Sequence, residues 1–437
     1  MDPCSLRRKG AVTPGTSFLN HCRPLRSTPP RTNRAAGAPV RRGRKSALEG
    51  LLWLVLHQFE RSTKIEVMAE KLLAALKTAP STTELREFDL PDIPSDAALM
   101  KMEVAGVCGT DVSQYKLPLR GAPLIMGHEN VGTLAKVGSA FAKHKGFTEG
   151  DLVFLEHYLP CGHCEWDHMG EYRHCAATEW FYDAAAIRYG YTAIDKPPSL
   201  WGGFSQYVYL PLNAVLHNVP HGLSAEEAGI ATPMSNGIQW TLMDGGVGFG
   251  STVLIQGPGQ QGLCCVMAAK QAGAATIIIT GTSKDGRRLE VARTLGADAA
   301  IDVQKENALE RIMHVTDGRG VDVAIDCTSG GGSAPMLLAI EAAKRRAATL
   351  VVQGEGNATF PDFPIGRLTR KGITLKSARG HSYRAVEQGL QLLASRTFPL
   401  DLLTTHRFGL AEVDYAIKSV GGEGAPGAIH VSVMPWT

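Results

Sequence analysis

At 437 residues, 44% hydrophobic and 20% charged, with 48 glycines, the chain is long enough for two domains with separate cores and has the composition of an ordinary soluble enzyme. The net charge of +3 conceals two opposed parts: residues 1–67 hold 13 Lys and Arg against 4 acidic residues, whereas the other 370 residues hold 32 basic against 38 acidic. The mildly acidic body excludes a nucleic-acid face, and the one strongly apolar run near the start, Leu51 to Leu56, is too short to span a bilayer.

In chain order, the first 45 residues are rich in Arg, Pro, Ala and Gly without hydrophobic periodicity and are expected to be disordered. Residues 1–67 read as an extension set upstream of the true start, with Met68 just before the strand-like Leu72-Leu73-Ala74-Ala75-Leu76; an organellar transit peptide is the alternative. A cytoplasmic location follows from the first reading. From Met68 to about Leu223, short apolar runs alternate with Gly and Pro turns: Leu99 to Val104, Val131 to Leu134, Asp151 to Phe154, Tyr207 to Leu210. This texture predicts a mostly β region with long loops.

Within that region lie two groups of metal-ligand residue types. The first is Cys108 in Gly106-Val107-Cys108-Gly109-Thr110-Asp111, followed by Gly127-His128-Glu129. A thiolate, an imidazole and a carboxylate suit zinc, and three protein ligands plus a water make an open, catalytic site. The second is Cys161-x2-Cys164-x2-Asp167-x7-Cys175, where three thiols and a carboxylate could close a structural zinc tetrahedron. Trp180-Phe181-Tyr182, Tyr189, Tyr191 and Trp201 form an aromatic stretch that reads first as packing and second as the lining of a substrate cleft. Arg188 and Arg379 read as solvated, with a substrate acid or cofactor phosphates as the other partners considered.

At Ser224 the texture changes. Ser224 with Glu227 three residues on predicts a capped helix start, and strands then alternate with helices. The apolar strand Thr252 to Gln256 ends in Gly257-Pro258-Gly259-Gln260-Gln261-Gly262, a helix follows from Leu263 to Gln271, and a second strand runs from Thr276 to Thr280. Here Gly257 permits the tight turn, Gly259 admits a pyrophosphate and Gly262 lets helix and strand pack closely, with Gln260 and Gln261 in the same turn. Where NAD-binding chains carry a carboxylate, this chain has Gly281-Thr282-Ser283-Lys284-Asp285-Gly286-Arg287-Arg288. Gly281, Thr282, Ser283, Lys284, Arg287 and Arg288 are expected to receive a 2′-phosphate, so NADP is preferred over NAD, with Asp285 as a ribose acceptor in the alternative. Cys264, Cys265 and Cys327 lie in apolar runs and are read as packing residues. Strands Val321 to Asp326, Thr349 to Val352 and Ile373 to Leu375 extend the parallel sheet. After Gly380 come a helix from Arg384 to Ala394, then Leu402-Leu403-Thr404 and a last strand, Ala428 to Val433.

Together these motifs resemble the zinc-containing medium-chain alcohol dehydrogenases, in the threonine and polyol dehydrogenase branch, over about residues 72 to 435. The resemblance implies an α/β protein: a GroES-like, mostly β catalytic domain with an inserted Rossmann-type, doubly wound parallel-sheet domain. The expected divisions are 1–67 as extension, 68–229 as the first catalytic segment, 230–379 as the NAD(P)-binding domain and 380–437 as the returning catalytic segment. It also implies catalytic roles for Cys108, Thr110, Asp111, His128 and Glu129, with Glu129 either a third zinc ligand or a partner of one. A small alcohol or carbonyl substrate and a homo-oligomer, dimer or tetramer, are implied as well.

Three departures stand out. Thr232 occupies the place where relatives often carry a Cys or Glu ligand, Asp167 replaces a structural Cys, and Ser113 replaces the His that ends the proton relay, for which His157 is a substitute by resemblance and, as a lone His, equally a hydrogen-bonded core residue. Two other readings remain open on these residues: a zinc-free reductase of quinones or enones, and a catalytically silent NAD(P)H-binding protein.

Overall fold

The computed structural model describes residues 71–179, 182–183, 185–353 and 359–437. The expectations for residues 1–67 and for Trp180 and Phe181 lie outside the described residues. Among those described, no helix is long and apolar enough to cross a membrane.

Two β systems make up the first part. A small antiparallel sheet holds β1 (Lys71–Ala79), β2 (Thr82–Asp89) and β4 (Leu124–Ile125). The larger sheet is built on β3 (Ala97–Gly106), β5 (Glu129–Val137), β6 (Leu152–Leu155), β7 (Tyr207–Pro211) and β8 (Leu216–Asn218). β3 is the hub, pairing antiparallel with β5 along nearly its whole length and with β7 at its start. Leu99, Met100, Met102, Leu134 and Phe141 close the core beneath it, which is why the Leu99 to Val104 run is uninterrupted by turn residues.

The second part is a six-stranded, wholly parallel sheet of β9 (Thr252–Gln256), β10 (Thr276–Gly281), β11 (Ala299–Asp302), β12 (Val323–Asp326), β13 (Thr349–Val352) and β14 (Thr374–Ser377). Its order, β11-β10-β9-β12-β13-β14, reverses direction between β9 and β12. Ligands bind doubly wound sheets in the crevice at such a reversal. Covered on both faces, the strands read as continuous apolar runs: Val253 and Ile255 join one core, and Leu254 joins another with Ile278, Ile312 and Ile340. The helix Gln260–Gln271 is buried almost all round because it lies between this sheet and the helix Ala231–Ile238. The two helices approach so closely that a side-chain carbon on Gly237 would stand 2.7 Å from the Cys264 carbonyl carbon. Cys264 and Cys265 are fully buried packing residues, as expected, and Cys327 is half-buried with its sulfur 3.8 Å from that of Cys265.

The chain then returns. β15 (Thr404–Phe408) and β16 (His430–Val433) join the larger β sheet, β16 lying antiparallel to the end of β3. The Leu402 stretch opens with a single 3-10 turn, Leu400–Leu402, before β15 begins. At Ser224 the predicted cap is present, with Glu227 N–H bonded to the Ser224 hydroxyl, but the helix it starts is short, Ala225–Ala228. The chain turns at Gly229 and resumes helix at Ala231.

A buried polar cluster ties these parts together. Glu156, fully buried just after β6, accepts hydrogen bonds from Tyr172 and from His381 Nε2 at 3.0 Å, and His381 Nδ1 lies 2.8 Å from Asn236 Oδ1 on the helix Ala231–Ile238. The Trp240 indole donates to the Gly380 carbonyl at 3.1 Å, and the Ser382 hydroxyl to Gln239 at 2.8 Å. Burial alone would raise the Glu156 carboxyl; His381, His217 and Tyr172 outweigh it and hold the group below its ordinary value. Its folded value therefore lies below the unfolded value of about 4.5. The stability it contributes is fully present above that value and is lost as pH falls through the folded one. Glu156→Gln is expected to destabilise the protein by about 2 kcal/mol at pH 7, and the gap between variant and parent should narrow as pH falls below 4.5, read from urea-unfolding midpoints across that range.

Candidate active site

The end of β3, the first turn of the helix Gly109–Lys116 and the start of β5 converge on one buried point. Val107 N–H is pinned to the Val431 carbonyl of β16, and Cys108 is the N-cap of the helix. Asp111, fully buried at the third helical position, accepts the Cys108 N–H through Oδ2 at 2.9 Å, so the side chain that ends the turn also fixes the thiol. Its Oδ1 lies 3.2 Å from His128 Nδ1. The ring is thereby oriented with Nε2 toward Thr110, whose hydroxyl is 3.1 Å away. Glu129 opens β5 directly opposite Gly106 of β3. A Cβ on Gly106 would stand 2.5 Å from Glu129 Oε2, so this glycine makes the room that the carboxylate occupies.

One donor atom from each of Cys108, His128 and Glu129 lies within 4.8 Å of the others, and no fourth Cys, His, Asp or Glu joins them among the described residues. Neither Glu129 oxygen has a hydrogen-bond partner, and burial pushes its carboxyl up to about 7. Burial also opposes a charge on His128, but Asp111 outweighs it and raises the imidazole well above its ordinary value. A soft thiolate, an imidazole and an unpartnered buried carboxylate are a donor set that a zinc ion fits, and the charge of such an ion would offset two carboxylates held out of water. Thr232, in the first turn of the helix Ala231–Ile238, is buried with an unpartnered hydroxyl.

The second group of metal-ligand types also converges. Donor atoms of Cys161, Cys164, Asp167 and Cys175 lie within 4.8 Å of one another. Asp167 Oδ2 accepts from the Cys161 thiol at 3.1 Å and the Gly162 N–H at 2.8 Å, while Oδ1 is buried without a partner. The substituted carboxylate thus occupies the fourth corner of the cluster.

Around this centre the aromatic stretch divides. Tyr189 and Trp201 are buried and pack at 6.0 Å, as core, whereas Tyr182 is 75% exposed. Among the stretch's described residues, Tyr191 reaches the site: its hydroxyl is 3.3 Å from Thr110 Oγ1 and its ring 5.3 Å from that of His128. Ser113 is exposed and turned back on the Gly109 carbonyl at 3.4 Å, away from any relay. His157 is buried beside His128, ring centres 5.4 Å apart, and its Nε2 is held by Arg188 at 2.7 Å.

At the reversal in the parallel sheet, Gly257 has φ +91, and any side chain on Gly262 would collide with the Gly257 carbonyl. Gly259 faces open space and caps the helix Gln260–Gln271 without a side chain, leaving the terminal N–H groups to face an anion. A cavity of about 180 Å³ opens beside this crevice, at the ends of β12 and β13. The residues present fit a dinucleotide's pyrophosphate.

Several residues assigned to the cofactor are engaged elsewhere. Gln260 is 7% exposed and bonds His430 Nδ1 of β16 at 2.7 Å, because the helix start abuts the returning segment. Arg288 donates to the Ala428 carbonyl at 2.7 Å and to Asp285 at 3.1 Å, so its guanidinium is drawn to the catalytic segment. Asp285 reaches back to Thr282, the N-cap of the short turn Ser283–Asp285, accepting its N–H at 3.0 Å and its hydroxyl at 2.7 Å through Oδ2 while Oδ1 takes Arg288, so both carboxylate oxygens are already engaged. Ser283 bonds Asp302 at 2.8 Å. The Gln260–His430 and Arg288–Ala428 contacts join distant segments, and the sequence carries no local signal for either.

Sequence models of two families match the chain: the alcohol dehydrogenase GroES-like domain over residues 94–221 and the zinc-binding dehydrogenase over residues 262–395. A Mycobacterium tuberculosis protein named "Probable alcohol dehydrogenase" is 33% identical over 370 residues, 83% of this chain and 98% of that one. The sorbitol dehydrogenase of Bacillus subtilis is 30% identical, covering 80% of this chain and 93% of its own length. The solved structure of an alcohol dehydrogenase from Thermotoga maritima shares the fold, with a TM-score of 0.72 at 24% identity over 84% of this chain and all of that one. With the GroES-like sheet, the reversing parallel sheet and the two convergent ligand clusters, these matches make the chain a member of the zinc-containing medium-chain alcohol dehydrogenase family.

Proposed function

We propose that the protein is a zinc- and NAD(P)-dependent alcohol dehydrogenase that moves hydride between a secondary alcohol or polyol and the nicotinamide ring, with NADP preferred. The observation that carries this reading is the buried meeting of Cys108, His128 and Glu129, with the Thr110 hydroxyl 3.1 Å from His128 Nε2. Its convergence weighs against the zinc-free and silent readings, neither of which requires it. Similarity to a protein named sorbitol dehydrogenase supports a polyol among the substrates. A homo-oligomer in the cytoplasm belongs to the same reading.

Cys108, His128 and Glu129 would hold the catalytic zinc, and Cys161, Cys164, Asp167 and Cys175 the structural one. When bound, zinc lowers the pKa of a substrate hydroxyl and nicotinamide accepts the hydride. Thr110 receives the hydrogen of that hydroxyl. Tyr191, 3.3 Å from Thr110 Oγ1, is the next oxygen on the way to solvent. Asp111 keeps His128 turned so that Nε2 faces the reacting centre. In the reverse direction the same groups return the proton to the new alcohol.

Lys284 and Arg287 support NADP. They stand in the first turns after β10 and, unlike Arg288, are not paired with a carboxylate among the described residues. Two outcomes are expected. Chelation, or Cys108→Ser, should lower carbonyl reduction by more than about 1000-fold while cofactor affinity, followed by nicotinamide fluorescence, changes little; full turnover by a metal-free protein would overturn the reading. The double variant Lys284→Ala, Arg287→Ala should lower the ratio of kcat/KM for NADPH to that for NADH by about 10- to 100-fold, the size expected for lost charge-assisted bonds; an unchanged ratio would remove the NADP preference.

A further inference from the structure

His157 and Tyr191, two rings that pack on His128, also hold a guanidinium whose one carboxylate neighbour among the described residues is shared with a second arginine. Arg188 follows the structural lobe and forms a backbone bridge with Tyr158. Its side chain is only 13% exposed. The guanidinium lies 4.7 Å from the Tyr158 ring centre and 4.6 Å from that of Tyr191. One of its donors is spent on an imidazole, Nη2 to His157 Nε2 at 2.7 Å. Arg188 Nε is buried without a partner. The nearest carboxylate, Glu179, is 3.8 Å from Nη1 and is already ion-paired with Arg379. Two guanidinium groups therefore share one carboxylate.

Position gives this surplus its meaning. Tyr191, whose ring faces Arg188, is the same residue whose hydroxyl meets Thr110. One tyrosine therefore separates the cation from the hydroxyl that would hold the reacting alcohol. A buried guanidinium with an unused donor is costly unless an anion completes it, and its planar fork suits a carboxylate or a phosphate. The turn at Gly257 to Gly262, which fits the cofactor's pyrophosphate, lies on the parallel-sheet part, whereas Arg188 belongs to the β part.

We infer that Arg188, with Arg379 beside it, forms an anion subsite of the substrate pocket, so that the preferred substrates are alcohols carrying a carboxylate or phosphate a short distance from the reacting carbinol. This rests on the dehydrogenase reading above and narrows its substrate class; no chemical step is added to it.

The test compares three secondary alcohols of matched length, ending in a carboxylate, a phosphate or a neutral amide, with the zinc-loaded full chain and both cofactors. The parent should favour one of the charged alcohols over the amide by on the order of 100-fold in kcat/KM, mainly through KM, and the member that wins identifies the anion. Arg188→Gln should collapse that ratio and Arg188→Lys should restore part of it. A second readout needs no turnover: malonate and inorganic phosphate should each be tried as protectants against thermal unfolding, and the protection should vanish in Arg188→Gln. Protection that depends on Arg188 in a protein inert to all three alcohols would retain the subsite and sink the dehydrogenase reading. Turnover of the amide equal to that of both charged alcohols, with no protection by either anion, would overturn the subsite and leave the dehydrogenase standing. Equal loss on all three alcohols in Arg188→Gln, with the parent showing no preference, would assign Arg188 to holding His157 and Tyr191 in place and likewise overturn it.

Discussion

The site depends on negative charge held out of water. Asp111 and Glu129 are both fully buried, and the Cys108 thiol lies beside them. Carboxylates in such surroundings require a cation or must take up a proton, and Glu129, pushed up to about 7, stands at the boundary between the two. A divalent cation offsets this arrangement in a way that the His128 imidazole alone does not. The backbone is arranged to maintain it: β16 pins Val107, Asp111 caps the turn at Cys108, and Gly106 leaves the volume into which Glu129 projects.

The same economy governs the joint between the β part and the parallel sheet. Residues placed where a cofactor motif begins are used to hold the returning segment: Gln260 grips His430, and Arg288 grips the Ala428 carbonyl. On the other side, Glu156 gathers His381 and Tyr172, and His381 meets the helix Ala231–Ile238 through Asn236. Through Asn236 and Gln260 these contacts tie the helix pair beside the glycine turn to the β part and the returning segment. The joint between the β part and the parallel sheet is therefore fixed by polar contacts whose loss would let the two move apart.

Much of this was legible in the sequence because it is local. Thr252 to Gln256, its glycine turn and the following helix lie where periodicity and turn chemistry put them, and the thiol, imidazole and carboxylate of the first cluster meet as their residue types and order suggested. Asp167 could be recognised as a ligand type from spacing alone, and it does fill the corner of its cluster. What could not be read is long-range. β11, alternating buried and half-buried over only four residues, gives too short a signal to register as a strand. The charges after β10 looked alike in sequence, yet Arg288 folds toward Ala428 whereas Lys284 does not, a choice made by the returning chain 140 residues away. Arg188 looked like a solvated charge; only the fold places it between two tyrosine rings and against His157.

The central claim is that two metal ions sit in two chemically different donor sets, one with a single sulfur and one with three. X-ray absorption at the zinc edge on the protein as purified, with metal content measured on the same sample, reads this directly. The account predicts two zinc ions per chain and an average of about two sulfur neighbours each, at about 2.3 Å, with nitrogen and oxygen completing the shells. One zinc per chain with about three sulfurs would mean that Cys108, His128 and Glu129 hold no metal, and would contradict the account at its core.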